Sequence, residues 1–170
     1  MNTLFFKTSI ILFLILGMNS HSQKATRSTQ EVKDMKYMLE EEKLARDVYW
    51  FLDNTWGLKV FNNIKRSEQM HMDFMENLLK TTKTDYELYT ERGFFYNKQL
   101  QTLYDDLIEK GSKSVQDALE VGKTIEITDI DDLEKAIRNT DKENAIEVYS
   151  RLLFGSNNHL RAFNRNLSRF

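Results

Sequence analysis

The sequence contains no proline and no cysteine, and only six glycines in 170 residues. Proline is the residue that most reliably stops a helix, so its absence favours long uninterrupted ones. The lack of cysteine excludes disulfides and thiolate metal ligands. Stability must come from packing, with a bound metal as the one remaining staple. Charge of one sign is also missing: 24 Lys and Arg against 26 Asp and Glu leave a formal net charge of -2. That balance gives no electrostatic footing for nucleic acid. The basic run Arg161, Arg165, Arg169 suits the end of a helix, where cations complement the dipole. What the chain does have is Leu, Glu, Lys, Asp and Met in quantity, a composition suited to helices.

The segment "MNTLFFKTSIILFLILGMNSHSQK" reads as a targeting signal. Lys7 precedes an apolar run from Ile10 to Met18, then the small-residue pattern Ser20-His21-Ser22 before Gln23. The run is short for a bilayer span, and the order of features is that of a secretory signal. The expectation is a signal peptide over residues 1–22 and a mature domain over 23–170, exported to the periplasm or beyond. No stable membrane span is expected after cleavage.

Four long helical patterns follow. The first runs from about Glu31 to Thr55, with Gly57 marking the turn after it, and the second from about Val60 to Thr81. The third opens after "GSKS", where Ser114 and Asp117 suggest a capping box, and continues to about Asn139. Thr140 and Glu143 suggest another box opening the fourth, which runs to the C-terminus. Between the second and third lies a long connection, Thr82 to Gly111, with a short helix of its own. The expected fold is all-α: a four-helix bundle of two hairpins with a long crossover. A three-helix bundle with an elaborate cap is the alternative. Phe94, Phe95 and Tyr96 in the crossover either cover the bundle side or offer a surface to a partner.

Stepping by three and four along each helix gives its core-facing seam. The first reads Met35, Met38, Glu42, Ala45, Tyr49, Leu52; the second Phe61, Ile64, Glu68, His71, Met75, Leu78. The third reads Leu119, Gly122, Glu126, Asp129, Leu133, Ala136; the fourth Ala145, Tyr149, Leu152, Ser156, His159, Phe163. In every seam the polar residues fall in the middle, so four interruptions meet at one level. A lone buried carboxylate costs several kcal/mol or stays protonated. Four together cannot all ionise without cations. Two divalent metals would balance Glu42, Glu68, Glu126 and Asp129, with His71 and His159 as neutral ligands. A carboxylate and imidazole set without sulfur suits iron or manganese. The competing reading is a structural network, in which such Glu residues pair with Lys or Arg from neighbouring helices.

At these residues the sequence resembles the ferritin-like superfamily, and more narrowly its rubrerythrin-type members. "EKLARDVY" resembles the first-helix pattern Glu-x-x-Ala-Arg-x-x-Tyr, which selects Glu42 over Glu40 and Glu41. "FNNIKRSEQMH" resembles the second-helix motif ending in Glu-x-x-His. With "IEITDIDDL" and "GSNNHLRAF", the stretch from Lys36 to Leu167 is most similar to a small ferritin-like family, domain of unknown function 2202. The resemblance implies a carboxylate-bridged centre of two iron ions, with manganese as the substitute, and chemistry with oxygen, peroxide or ferrous iron. It implies Glu42 as a terminal carboxylate, Glu68 as a bridge beside His71, Glu126 as the third-helix carboxylate and His159 as the second histidine. The departure is Ser156, where the rubrerythrin-type pattern has a second Glu; Asp129, one turn from Glu126 on the same face, could supply the missing carboxylate. Tyr49 is a candidate hydrogen-bond donor to a ligand, and Gly122 and Gly155 mark close helix approach or access to the centre. The function expected is an exported oxidase, peroxidase or ferroxidase. The alternative is a non-enzymatic bundle for metal sequestration or partner binding, and assembly into homo-oligomers stays open.

Overall fold

The computed structural model describes the backbone from Ile11 and the side chains from Thr29. The expected signal segment, residues 1–22, lies outside the described side chains. Five α-helices and no strand occur among the described residues: α1 (Ile11–Trp56), α2 (Lys59–Thr81), α3 (Lys98–Gly111), α4 (Val115–Asn139) and α5 (Glu143–Leu167). None of them is long and apolar enough to cross a membrane.

The helices pair as the seams require. α1 with α2 and α4 with α5 form two hairpins, α1 lies against α4, and α2 lies against α5. This closes a four-helix square, and α3 packs over the α1–α4 edge. Every seam residue read from the sequence is buried. One apolar cluster, including Tyr49, Leu52, Phe61, Leu119 and Phe163, fills one end of the bundle. A second, including Met35, Met38, Met75, Leu133 and Leu152, fills the other. The polar residues lie between these two layers, so neither end gives them water.

The turns carry their own chemistry. Gly57 ends α1 in the left-handed region, φ 65°, and its amide reaches Asp53 O at 2.8 Å, an arrangement that costs glycine little. Ser114 caps α4 as expected, accepting from the Asp117 amide at 3.0 Å, while its hydroxyl donates to the Asp117 carboxylate at 2.6 Å. The second expected box is absent. The N-cap of α5 is Lys142, and the Thr140 hydroxyl donates instead to Glu31 at 2.9 Å. A long-range partner on α1 outbids the local cap. α1 also starts upstream of the expected Glu31, because nothing in its sequence breaks it there.

The crossover is fastened to α1 by charged side chains that look like a solvated face in the sequence. Lys43 and Asp47 are both fully buried and pair at 2.6 Å. Lys43 also donates to the carbonyls of Glu91 (2.9 Å) and Phe94 (3.1 Å), and the Gly93 amide donates to Asp47 at 3.1 Å. Glu40 accepts the amides of Tyr96 (2.6 Å) and Asn97 (3.0 Å) just before α3 begins. The crossover aromatics divide accordingly. Phe95 is 6% exposed and joins the core beneath Lys43, whereas Phe94 and Tyr96 are 58% and 47% exposed.

Candidate metal centre

The middle of the bundle brings together Glu42 from α1, Glu68 and His71 from α2, Glu126 and Asp129 from α4, and His159 from α5. All six are buried. Their ligand atoms fall into two groups that share one member. Glu42, Glu68 and His71 have ligand atoms within 4.8 Å of one another, and so do Glu68, Glu126 and His159. Glu68 presents Oε2 to His71 Nδ1 at 2.9 Å and Oε1 to His159 Nδ1 at 2.9 Å. Its two oxygens therefore face two different half-sites. The imidazole rings stack with centroids 5.5 Å apart.

Several of these atoms lack hydrogen-bond partners among the described residues: Glu42 Oε1, Glu68 Oε1, Asp129 Oδ1 and His159 Nδ1. Glu68 Oε1 and His159 Nδ1 approach to 2.9 Å without hydrogen-bond alignment. Orphaned buried polar atoms are costly, and a cation within reach of several of them would satisfy them together. The donor set fits a metal ion with oxygen and nitrogen preferences. These buried Glu and His groups could hold a metal ion.

Two sets of contacts brace the centre. The Tyr49 hydroxyl donates to Glu126 Oε1 at 2.6 Å, fixing that carboxylate's rotation and leaving Oε2 for His159 at 3.4 Å. Ser156 pairs with Asp129 Oδ2 and also approaches Leu152 O at 3.0 Å. Asp129 thus lies beside the centre, tied to the serine that replaces the expected glutamate, and belongs to neither three-residue group.

Electrostatics show how protons occupy the cluster without a cation. Burial pulls the His71 pKa down, but the Glu42 and Glu68 carboxylates together outweigh it and lift it to about 11. His159 is lifted to about 10 against burial by Glu68 and Glu126. Burial pushes Glu42 up to about 8 despite His71, and burial with the Glu68 charge pushes Glu126 to about 7. Glu68 goes the other way. Burial raises it, but the two histidines flanking it carry it well below the usual carboxylate range. The centre pairs charges around an ionised Glu68, with protons held on the imidazoles where a metal would otherwise sit.

Both glycines singled out in the sequence mark close approach. A Cβ on Gly155 would lie 2.5 Å from His71 Nε2, and one on Gly122 would lie 2.3 Å from Cε1 of Phe163. α5 passes so near His71 that only glycine leaves room for the ring in the orientation that aims Nδ1 at the carboxylates.

Among the buried acids that the seams did not include, Glu41, 4% exposed, is the one left with an unpartnered oxygen, Oε2, among the described residues. It is off the seam of α1, on the side that faces Asp129, Asp132 and Lys135 of α4. The "EEE" run itself is the only sequence signal, since three adjacent acids leave at least one of them facing the packed side.

Comparison with known proteins agrees on the chain's kinship. The family model for an uncharacterized protein domain, DUF2202, matches residues 31–169. The chain is 48% identical over 144 residues to the uncharacterized protein MJ0754 of Methanocaldococcus jannaschii, covering 84% of this chain and 78% of that one. It is also similar to the crystal structure of the hypothetical protein MJ0754 from Methanococcus jannaschii, with a TM-score of 0.81, 48% identity, and coverage of 82% of this chain and 81% of that one.

Proposed function

This chain belongs to the DUF2202 family, and on that footing we propose that it is a ferritin-like protein with a dinuclear iron or manganese centre. The proposed activity is that of an oxidoreductase taking oxygen, peroxide or ferrous iron as substrate. The observation that carries the proposal is Glu68, whose two oxygens face two separate histidines at 2.9 Å each. A carboxylate so placed can serve two cations at once, which a structural ion pair does not need.

Glu42 and His71 would complete one half-site, and Glu126 and His159 the other. Asp129 stands beside both, carrying the fourth negative charge. Four carboxylates and two neutral imidazoles match the charge of two divalent cations. Iron or manganese bound there supplies one-electron redox chemistry. The protein's own part is to hold that charge, to orient Glu126 through Tyr49, and to exclude water with an apolar layer on each side. His71 and His159 give up their protons on loading. With no cysteine in the chain, electrons come from an external reductant or from ferrous iron itself. The N-terminal signal pattern supports a location for this chemistry outside the cytoplasm.

A second reading, a sequestering or partner-binding bundle, draws on the exposed crossover aromatics. Tyr89 stacks on Tyr96 at 4.1 Å, and Phe94 lies beside them. Turnover separates the two. Protein reconstituted anaerobically with ferrous iron and then mixed with oxygen or peroxide oxidises excess ferrous iron repeatedly if it is an enzyme. Sequestration gives a single stoichiometric uptake with no further consumption of oxidant.

A further inference from the structure

We propose that the seam between α1 and α4 is a cation-entry route, in which Glu41 and Asp129 pass divalent cations from a surface cavity to the central cluster. The proposal rests on the dinuclear reading above. A cavity of about 280 Å3 opens on this seam, edged by Asp34 and Tyr37 of α1, Gln99 of α3, and Asp132 and Lys135 of α4. Glu41 lies one helical turn beyond Tyr37, and Asp129 one turn before Asp132, so both acids sit a level deeper toward the bundle centre. Burial first, and then the charges of Asp129 and Asp132 against that of Lys135, hold the Glu41 carboxyl well above its ordinary value, and Tyr37 feels Glu41, Asp132 and Asp129. Asp129 in turn feels Glu42, Glu126 and Glu68. The acids therefore stand at three successive levels along the two helices: Asp34 and Asp132 at the cavity, Glu41 and Asp129 one turn deeper, and the candidate ligands at the centre.

The contrast among the buried charges of α1 singles out Glu41. Glu40 is satisfied by the Tyr96 and Asn97 amides, and Lys43 and Asp47 satisfy each other and the crossover backbone. Glu41 Oε2 and Asp129 Oδ1, by comparison, are buried and lack a hydrogen-bond partner among the described residues. Neither belongs to a group of three converging ligand atoms. Two free carboxylate oxygens in series suit a passing cation, and fewer than three converging ligands suit brief occupancy better than residence. At the mouth Lys135 lies 4.0 Å from Asp132 and is itself exposed, so its ammonium can swing into solvent. Asp34 and Asp132 leave the opening net negative. From Lys98 onward α3 covers the neighbouring part of the seam, which concentrates access at this opening.

The test uses full-length metal-free protein and cobaltous ion, with loading followed by stopped-flow absorbance and final stoichiometry by elemental analysis. Glu41→Gln keeps the size of the side chain and removes the carboxylate that a cation would take up by displacing its proton. It should bind as much cobalt as the wild type at equilibrium, but load slower by about tenfold or more, the scale on which focused charge alters association rates. Asp132→Asn, on the half-buried rim, should slow loading less and flatten its dependence on salt. Wild-type loading rates in Glu41→Gln would overturn the route. So would reduced stoichiometry in that variant, which would make Glu41 a resident ligand. A wild-type protein that takes up no cobalt would overturn the dinuclear reading itself, a result distinct from either behaviour of the variant.

Discussion

Replacing Gly155 with alanine adds one methyl group against the ring of His71 and tests whether that ring is a ligand. The new Cβ would lie 2.5 Å from Nε2 and 2.7 Å from Cε1. Ordinary van der Waals contact begins near 3.4 Å, so the ring must retreat by about 0.9 Å. It has little room to do so, because Nδ1 is held by Glu42 at 3.2 Å and by Glu68 at 2.9 Å. Overpacking of this kind costs about 1–3 kcal/mol, and alanine returns about 1 kcal/mol of helix propensity over glycine. The net loss of stability without metal is therefore modest, at most about 2 kcal/mol. Metal binding should suffer more. Ligand distances hold to within about 0.2 Å in functional sites, so a displacement several times larger should cost the Glu42–His71 half its metal. The assay is metal per chain after anaerobic reconstitution, alongside urea unfolding of the metal-free form. Gly122→Ala is the comparison: its Cβ meets Phe163 instead, so its main effect should be on stability. A Gly155→Ala protein that binds metal as tightly as the wild type would refute the role assigned to His71.

Three further outcomes are expected. Glu68→Ala, which removes the residue shared by both half-sites, should abolish binding at both, read as metal per chain beside either histidine variant. Stability of the metal-free protein should fall as pH rises. Glu42 and Glu126 are lifted from 4.5 to about 8 and about 7, and His71 and His159 from 6.5 to about 11 and about 10, so the folded state binds more protons than the unfolded one across that range. Their contribution is complete below the unfolded values and is lost as pH passes through the folded ones, so the urea midpoint should be lower at about pH 9 than at about pH 6. Metal should reverse the trend, because loading releases those same protons. Finally, Lys43→Met should cost about 1–3 kcal/mol by leaving the Glu91 and Phe94 carbonyls without their donor, while Asp47 keeps its pair with Arg46 at 2.7 Å. Hydrogen exchange should show the Gly93 amide, now held by Asp47, losing protection.

Much of this architecture was legible because seam periodicity depends only on which residues face inward. The interruption of all four seams at one level located Glu42, Glu68, His71, Glu126, Asp129 and His159 together without knowledge of any contact. The Ser114 cap was legible for a similar reason: its partner is three residues away. What stayed hidden depends on the crossover. Glu40, Lys43 and Asp47 lie on faces of α1 that a bare four-helix square would leave in water, and their partners come from the segment between Glu91 and Asn97. The pattern of α1 carries no mark of that cover. Thr140 misled for a related reason, since a contact with Glu31, over a hundred positions earlier, displaced the local cap. Likewise the fastening of this segment by Lys43, Asp47, Glu40 and Gln101 accompanies Phe95 turned inward with Phe94 and Tyr96 exposed, and most of those contacts are distant in sequence.

The measurement that bears most directly on the central claim is metal content of the protein purified without chelators and reconstituted anaerobically with ferrous iron. It should be made on the wild type, His71→Ala and His159→Ala together. A bridging Glu68 predicts two metals per chain in the wild type and loss of one in each histidine variant. Helical protein that retains no metal would contradict it, and would make the buried carboxylates and imidazoles a structural network.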